Sequence, residues 1–241
     1  MKKRIVISGY YGCGNTGDEA VLRGMVTSLR AEGVDACLSV LSGDPASTLT
    51  AHPVDRSAHR YNLAAILGEL RSADLVISGG GSLLQDVTSA RSLFYYLAVL
   101  RLARMLRRRT MVFAQGIGPL IREKSRHAVA RTLDRVDAIT LRDADSVDLL
   151  REIGVRKPPV ELVADPALLI EADSGAADEL IQELGAPGRV IGVSLRPWAT
   201  QPDWLPEAIQ GIRTAASETA AELLIIPMQP PADNRIWQLM D

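Results

Sequence analysis

Residues 9–20 read GYYGCGNTGDEA and directly follow a short apolar run, Arg4–Ser8. Three of the glycines, Gly12, Gly14 and Gly17, match the pattern G-x-G-x-x-G, which allows a strand to turn sharply into a helix. Apolar residues at helical spacing follow over Asp18–Ala31. A strand, a glycine-rich turn and a helix in this order predict the first unit of an α/β fold with a parallel sheet.

The same alternation continues along the rest of the chain. Further β-branched runs predict strands at Ala36–Leu41, Asp74–Ser78, Thr110–Ala114, Ala138–Leu141, Val160–Val163, Val190–Leu195 and Glu222–Ile226. Helical spacing lies between them at Leu63–Arg71, Arg91–Arg107, Arg122–Val136 and Ala144–Ile153. Right-handed crossovers place the carboxyl ends of parallel strands along one edge, where α/β proteins bind their ligands. Because glycines, amides, carboxylates and arginines follow these strand ends, we expect the functional site at this edge.

The chain is predicted to contain two domains. Residues 1–172 form the first, and a turn-rich linker over residues 173–189 includes the sequence GAPG and a short helix at Ala177–Leu184. Residues 190–241 hold a strand, a helix and a second strand, too little to complete a doubly wound sheet. The second domain is therefore expected to be incomplete in this chain, with a further helix beginning near Asn234.

Composition excludes several classes of protein. The 241 residues are 47% hydrophobic and 23% charged, which is typical of globular domains rather than disordered chains. Lysine and arginine (27) nearly balance aspartate and glutamate (29), so no overall positive field attracts nucleic acid. No apolar run is long enough to cross a membrane or to serve as a secretory signal. These features predict a cytoplasmic protein with no nucleic-acid partner.

Neither a metal nor a cofactor is expected from the sequence. Cys13 and Cys37 form no CxxC pair and are predicted to be reduced thiols. His52, His59 and His127 have no partners at metal-ligand spacing and are predicted to be exposed structural histidines.

The glycine pattern also matches a dinucleotide fingerprint, but two features disfavour a nicotinamide or flavin cofactor. Asp18 and Glu19 lie in the first turn of the helix, where they compete with a pyrophosphate for the same N–H groups. No acidic residue stands at the end of the second strand to bind a ribose. One interpretation is that the glycines only permit a tight turn. The other is that the polar turn formed by Asn15, Thr16, Asp18 and Glu19 binds the hydroxyls of a sugar.

Residues 79–82 read GGGS, follow a predicted strand and precede Gln85 and Asp86. Bare backbone N–H groups at Gly80 and Gly81 suit contact with an anion or a sugar, although three glycines also make a flexible connector. The segment lacks the Lys-Ser/Thr ending of a P-loop, so nucleotide hydrolysis of that kind is not expected.

Arg142 and Arg196 each follow a predicted strand, one in each domain. A guanidinium group is a planar fork that fits a carboxylate or a phosphate. Together the two arginines predict an anion clamp across an interdomain cleft. The alternatives are an ion pair of Arg142 with a neighbouring aspartate, Asp143 or Asp145, and packing of Arg196 against Trp198.

A cluster of arginines ends one apolar helix, at Arg101, Arg104, Arg107, Arg108 and Arg109. The favoured interpretation is favourable charge at a helix C-terminus together with a solvated face. The alternative is contact with anionic lipid or with a lipid-linked diphosphate, which makes the protein peripheral to a membrane.

Several segments together resemble the polysaccharide pyruvyl transferases, most closely the CsaB-like branch that acts on secondary cell-wall polymers. The matching segments are Gly9–Ala20, Ser78–Asp86, Ala114–Pro119, Leu141–Asp143, Ala164–Ala167, Ser194–Arg196 and Ile226–Gln229. The resemblance implies a GT-B-like fold of two Rossmann-like domains. It also implies transfer of pyruvate from phosphoenolpyruvate onto a hexose diol, which forms a 4,6-ketal and releases phosphate. In this branch the acceptor is an N-acetylmannosamine-containing, lipid-linked precursor at the cytoplasmic side of the membrane.

On this basis the catalytic residues are predicted to be Arg142, which with Arg196 holds phosphoenolpyruvate, and Asp18 or Glu19, which orients or deprotonates the acceptor. The remaining predicted substrate-binding residues are Tyr11, Asn15, Gly80, Gly81, Gln85, Asp86 and Gln115. The family continues to a later Arg-Leu-His motif, and no histidine follows His127 here, so the general acid is expected beyond residue 241. Two alternatives are a GT-B nucleotide-sugar glycosyltransferase and a non-catalytic carbohydrate-binding fragment.

Overall fold

A computed structural model describes residues 2–185, 188–196, 204–230 and 233 of the chain. The chain divides into two compact units, Met1–Ile170 and Glu171–Asp241. Parts of three predictions lie outside the described residues: the centre of the GAPG sequence, the contact with Trp198 and the helix near Asn234.

The first unit contains eight strands and six helices in its described residues. The strands are β1 (Lys3–Tyr11), β2 (Ala36–Ser42), β3 (Arg56–His59), β4 (Leu75–Ser78), β5 (Gly81–Leu84), β6 (Arg109–Ile117), β7 (Ala138–Leu141) and β8 (Val160–Leu162). The helices are α1 (Thr16–Ala31), α2 (Pro45–Ala51), α3 (Leu63–Ser72), α4 (Ala90–Met105), α5 (Glu123–Leu133) and α6 (Ala144–Glu152).

Three of these elements differ from the sequence prediction. The strand β3 and the helix α2 were not predicted, because neither carries the apolar run or the long helical period that marks the other elements. Gly81 and Ser82 were assigned to a turn but begin β5, because β6 is long enough to pair with them: Gly81 lies opposite Gln115 and Leu84 opposite Ile117.

All strand pairs in the first unit are parallel, and the strands lie in the order β3-β2-β1-β4-β6-β7-β8, with β5 paired to the end of β6. The chain therefore proceeds outward in one direction from β1 and then in the other direction from β4. Such a reversal leaves a crevice at the carboxyl ends of the two central strands, where α/β folds bind ligands. Here the crevice lies between the ends of β1 and β4.

Helices cover both faces of this sheet, which explains why its central strands are almost continuously apolar. Ile5 and Ile7 of β1 pack beneath α1, whereas Val6 between them packs with Ile66 of α3 and Val99 of α4. The alternation follows from the two-residue period of a strand. Burial on both sides fixes the register of β1, and so the place where its glycine-rich turn begins.

The described part of the second unit is a small βαβ arrangement. Its elements are α7 (Ser174–Glu183), β9 (Arg189–Val193), α8 (Leu205–Thr219) and β10 (Ala221–Ile225). The two strands pair in parallel, and Leu205 and Ile209 of α8 pack with Leu195 after β9. The helix predicted within the linker is present as α7.

Candidate active site

The carboxyl ends of β1 and β4 lie side by side, with Ser8 opposite Ser78 in the sheet. The glycine-rich turn of residues 12–15 follows β1, and Gly79 and Gly80 follow β4. Both segments were predicted to carry functional groups, and the strand order brings them together at the crevice.

The turn into α1 is held by its own polar side chains. Asn15 caps the helix, because its side-chain oxygen accepts a hydrogen bond from the N–H of Asp18 at 3.2 Å. Glu19 reaches back so that one carboxylate oxygen accepts from the N–H of Gly12 at 2.7 Å, while the other lies 2.8 Å from Nε2 of His52. The prediction that His52 is an exposed histidine is wrong, because α2 places its ring against Glu19 with only 6% of the residue exposed.

Asp18 lies over the start of β5. Gly81 there has a φ of +90°, and a Cβ atom on it would lie 2.7 Å from the Oδ1 atom of Asp18. Only glycine combines this backbone conformation with so close an approach. The Asp18 carboxylate is therefore set at the crevice beside the glycine segment.

Tyr11 was predicted to bind substrate, and its side chain is fully buried beneath the crevice. Its ring lies against Gly9 and Gly79, and its hydroxyl has no hydrogen-bond partner within the described part of the chain. Burial, reinforced by the negative charge of Asp18, raises the pKa of Tyr11 well above its usual value. Tyr11 is therefore a neutral phenol in the floor of the crevice.

The predicted binding amide of Gln115 is also buried at this edge. Its Nε2 atom donates hydrogen bonds to the Ser78 hydroxyl at 2.9 Å and to the Gly79 carbonyl at 2.5 Å. The amide therefore links β6 to the end of β4. In this structure it holds the glycine segment in place.

Gln85 and Asp86, also predicted to bind substrate, organise the loops beyond β5. The side-chain oxygen of Gln85 accepts from the N–H groups of Val87 and Thr88. Asp86 is 2% exposed and accepts from the N–H groups of Ile121 and Arg122 at 2.8 and 2.9 Å. Burial alone would raise the pKa of Asp86, but these hydrogen bonds and the Arg122 charge lower it below its usual value.

Arg142, a predicted site residue, keeps a partly accessible charged group. Its Nη1 atom pairs with Asp165 at 2.5 Å and its Nη2 atom donates to the Ser82 hydroxyl at 3.0 Å. Its side chain is 28% exposed, and Gly116 lies directly beneath it. The expected alternative, an ion pair with Asp143 or Asp145, does not form, because Asp143 instead caps α6 by accepting from Ser146 at 2.7 Å.

The segment that follows β8 runs back against α1 and brings Asp165 to Arg142. After β8, at the edge of the sheet, a 3₁₀ turn at Pro166–Leu169 packs against α1. The approach is very close: a Cβ atom on Gly24 would lie 1.9 Å from the Pro166 carbonyl oxygen. Asp165 begins this turn and accepts from the N–H of Ala167 at 3.0 Å, so the crossing segment fixes its carboxylate.

Arg196 lies in the second unit, after β9. Its Nη2 atom donates to the side-chain oxygen of Gln229 at 2.8 Å, and Gln229 follows the paired strand β10. Both residues therefore stand at the carboxyl edge of the two-stranded sheet, where ligand-binding groups of this fold class lie.

The arginine cluster lies at the opposite edge of the first unit. The helix α4 starts after β5 and ends before β6, whose first residue Arg109 is opposite Leu75 at the start of β4. The cluster therefore lies near the amino ends of the strands, at the edge opposite the crevice. Met105 in its middle is 79% exposed. No helix in the described ranges is both long and apolar enough to cross a bilayer.

At the carboxyl edge, three residues that were not predicted as site residues hold the predicted ones in place. Ser82 and Asp165 orient Arg142, and His52 pairs with Glu19. Asp165 carried a usable signal, since it follows a predicted strand and begins an Asp-Pro step, whereas His52 had none. Within the described residues, no group of three or more potential ligands could hold a metal ion.

Taken together, the fold and the site define a class. A parallel, doubly wound first sheet, a βαβ second unit and polar side chains at the carboxyl edge are features of an α/β, GT-B-like protein with Rossmann-like units.

The family model for polysaccharide pyruvyl transferase matches residues 15–240, and the chain belongs to this family. The resemblance found in the sequence motifs is thereby confirmed at the level of the family. A curated relative is the amylovoran biosynthesis protein AmsJ of Erwinia amylovora, 23% identical over 207 residues, which cover 69% of this chain and 49% of the relative. The chain thus spans about half the length of this curated relative.

Solved structures share the fold at low sequence identity. The UDP-GlcNAc 2-epimerase of Methanocaldococcus jannaschii is 11% identical with a TM-score of 0.64, and the superposition covers 100% of this chain and 68% of the epimerase. Anabaena HepE in complex with UDP and glucose is 15% identical with a TM-score of 0.62, and the superposition covers 100% of this chain and 65% of HepE. Both likenesses support the GT-B-like fold.

Proposed function

We propose that the protein transfers pyruvate from phosphoenolpyruvate to a hexose of a polysaccharide precursor and forms a 4,6-ketal. The observation that carries the proposal is the Arg142 group at the carboxyl edge. Its guanidinium is fixed by Asp165 and Ser82 yet is still partly exposed. A guanidinium group has five N–H donors, so some remain for the carboxylate or phosphate of the donor.

The reaction makes three demands on the site. A proton is added to the methylene carbon of phosphoenolpyruvate, which leaves a cationic carbon where the phosphate oxygen is attached. Two hydroxyls of the sugar then bond to this carbon, the carbon–phosphate oxygen bond breaks, and the hydroxyl protons are released. The products are a ketal that carries a methyl group and a carboxylate, and inorganic phosphate. An anion site, a proton donor and a proton acceptor are needed.

The described residues supply two of these three groups in the proposal. Arg142 binds the donor anion, with Arg196 as the second predicted anion ligand, and Asp18 beside Gly81 orients or deprotonates an acceptor hydroxyl. Glu19 instead braces the turn through Gly12, which leaves it less free for chemistry. We place the acid that protonates carbon outside the described residues.

The acceptor follows from the resemblance to the CsaB-like branch. We infer an N-acetylmannosamine-type hexose on a lipid-linked cell-wall precursor, handled in the cytoplasm at the inner face of the membrane. The relative AmsJ, named for amylovoran biosynthesis, supports a polysaccharide precursor as the class of acceptor.

The test is direct. The 241-residue chain and the whole reading frame that contains it are incubated with phosphoenolpyruvate and a synthetic N-acetylmannosamine-containing acceptor. Phosphate release together with the mass gain of a pyruvyl ketal supports the proposal. Phosphate release without a modified sugar, or no change in either preparation, contradicts it.

A nucleotide-sugar glycosyltransferase is the second candidate, because HepE, which shares this fold, is solved in complex with UDP and glucose. Thermal stabilisation separates the two: a rise in Tm with phosphoenolpyruvate favours the pyruvyl transferase, and a rise with UDP or GDP sugars favours the glycosyltransferase. Binding of the saccharide with no turnover on either donor would indicate a non-catalytic carbohydrate-binding protein.

The arginine cluster is the surface through which the proposed contact with the membrane can be tested. Arg104, Arg107 and Arg109 have no ion pair among the described residues, and they surround exposed Met105. Co-sedimentation with vesicles that contain phosphatidylglycerol, but not with pure phosphatidylcholine, is expected at low salt. Replacing all three arginines by glutamate should abolish it. Equal sedimentation of the charge-reversed protein would contradict membrane contact through this cluster.

A further inference from the structure

Arg60 is a buried cation that the proposed reaction does not use. It follows β3 at the carboxyl edge and is 2% exposed. Its guanidinium carbon lies 4.9 to 5.4 Å from the ring centres of four tyrosines, Tyr10, Tyr61, Tyr95 and Tyr96. A cation over an aromatic face is attracted by the electron density of the ring, most strongly where water is excluded.

The aromatic rings take the place of a counter-ion for Arg60. No carboxylate pairs with it within the described part of the chain; it donates to the Tyr96 hydroxyl at 3.0 Å and to the Gly9 carbonyl at 3.5 Å. Burial disfavours the charged form, but the contacts with Tyr96 raise the pKa of Arg60, so it stays charged. A buried charge without such partners is strongly unfavourable, so Arg60 holds the rings in fixed positions.

Tyr61 is the member of this group that faces solvent. Tyr61 is 71% exposed, yet its ring packs edge-on against the ring of Tyr95, with the ring centres 5.8 Å apart. Its backbone N–H donates to Nδ1 of His59 at 3.3 Å. A fixed and exposed aromatic ring loses little conformational entropy when a ligand packs on it. The flat C–H face of a hexose is a ligand that fits an uncharged ring of this kind.

The position of Tyr61 defines which part of a saccharide it would contact. His59 lies opposite Ser42, and Ser42 lies opposite Tyr11, so β3 ends level with β1 at the same edge of the sheet. The strand spacing places the end of β3, which leads into Tyr61, roughly 12 Å from the crevice between β1 and β4. A single hexose ring in the crevice does not reach that far.

We propose that Tyr61, held in place by Arg60, is a saccharide-binding platform for a sugar unit next to or beyond the one that reacts. The acceptor is then an oligosaccharide rather than a single sugar. This inference rests on the proposed function for the position of the reacting unit. Arg60 acts as a positioning residue, and Tyr61 makes the contact.

The experiment compares acceptors of two lengths with three proteins. The methyl glycoside of N-acetylmannosamine and a tetrasaccharide ending in the same unit are assayed with the wild type, Tyr61→Ala and Tyr61→Phe. Tyr61→Ala should raise KM for the tetrasaccharide about tenfold and leave KM for the methyl glycoside and for phosphoenolpyruvate unchanged. Tyr61→Phe keeps the ring and should behave as the wild type. An equal KM for the tetrasaccharide in all three proteins would overturn the platform.

A binding measurement separates this inference from the proposed reaction. Tetrasaccharides containing N-acetylmannosamine, N-acetylglucosamine or galactose are titrated calorimetrically into the same proteins without a donor. Binding to the wild type and to Tyr61→Phe, but about tenfold weaker binding to Tyr61→Ala, supports the platform even if no ketal forms, and the proposed function alone then fails. If the wild type binds none of the tetrasaccharides, the platform is wrong.

Discussion

The turn after β1 and the cluster around Arg142 lie at the same edge of one sheet, but their polar side chains are used differently. At the turn, Asn15 and Glu19 satisfy N–H groups of their own loop, and the Tyr11 ring forms its floor. At the cluster, Asp165 holds an arginine that remains 28% exposed.

The difference shows that a polar residue at a strand end has one of two roles. Buried backbone N–H groups must be paired, so the tight turn after β1 consumes the side chains nearest to it. A guanidinium has more donors than its two protein partners use, so Arg142 is both anchored and available. Variants that remove one side chain at a time distinguish these roles, because loss of a structural side chain lowers stability whereas loss of a ligand contact lowers activity.

Replacing Arg142 should have the largest effect on activity. Arg142→Ala removes charged hydrogen bonds to the donor and is expected to lower kcat/KM for phosphoenolpyruvate by roughly 100-fold. Arg142→Lys keeps the charge without the planar fork, and its kcat/KM should lie between those of the wild type and Arg142→Ala. The assay is phosphate release, and Arg151→Ala, an exposed arginine on α6 paired with Asp148, is the matched control. Unchanged turnover in Arg142→Ala would show that the cluster is structural.

Glu19→Ala should act mainly on stability. It leaves the Gly12 N–H and the buried His52 ring without their partner, and the free energy of unfolding is expected to fall by about 2 kcal/mol. Urea unfolding followed by circular dichroism measures the change. The neighbouring variant Asp18→Ala serves for comparison: full stability in Glu19→Ala with lost turnover would make Glu19 catalytic rather than a brace.

Asp86→Asn should cost about 1–2 kcal/mol of stability at neutral pH, since charged acceptors form stronger hydrogen bonds. The lowered pKa of Asp86 means that its ionised form stabilises the folded state above the unfolded-state pKa. This stabilisation is lost as the pH falls through the lower, folded-state pKa.

The stability difference between wild type and Asp86→Asn should therefore shrink as the pH is lowered below the usual aspartate range, at about 4. Unfolding curves over a pH series test this, with the exposed Asp148→Asn as control. A difference that stays constant down to acidic pH would show that the Asp86 charge does not matter.

Tyr11→Phe should cause the smallest loss of stability. Because the Tyr11 hydroxyl is buried with no partner among the residues described, its desolvation is uncompensated, and its removal should leave the free energy of unfolding unchanged or raise it by about 1 kcal/mol. Tyr11→Ala, which removes the whole ring from the floor, should cost about 3 kcal/mol or more. A large loss in Tyr11→Phe would indicate that the hydroxyl has a partner, such as a buried water.

Much of this edge was predictable because it depends on local patterns. Asp18 and Arg142 were predicted to follow the carboxyl ends of strands from the local pattern alone, and they do follow β1 and β7 in the structure. The roles of Gln115 and Asp86 were not predictable. The partners of the Gln115 side chain lie at least 36 residues away in the chain, and those of the Asp86 side chain at least 35. Burial decides whether an amide or a carboxylate meets solvent or the backbone.

By itself the sequence determined the alternation of strands and helices, the presence of polar residues after the strand ends and the motifs of the family. Each of these depends on residues that are close in the chain. Tertiary structure alone decided which groups meet. Arg142 contacts Ser82 across 60 positions, and Arg60 contacts Tyr96 across 36. Such pairs depend on the strand order and on the segment that returns over α1 with Asp165, and no local pattern records either.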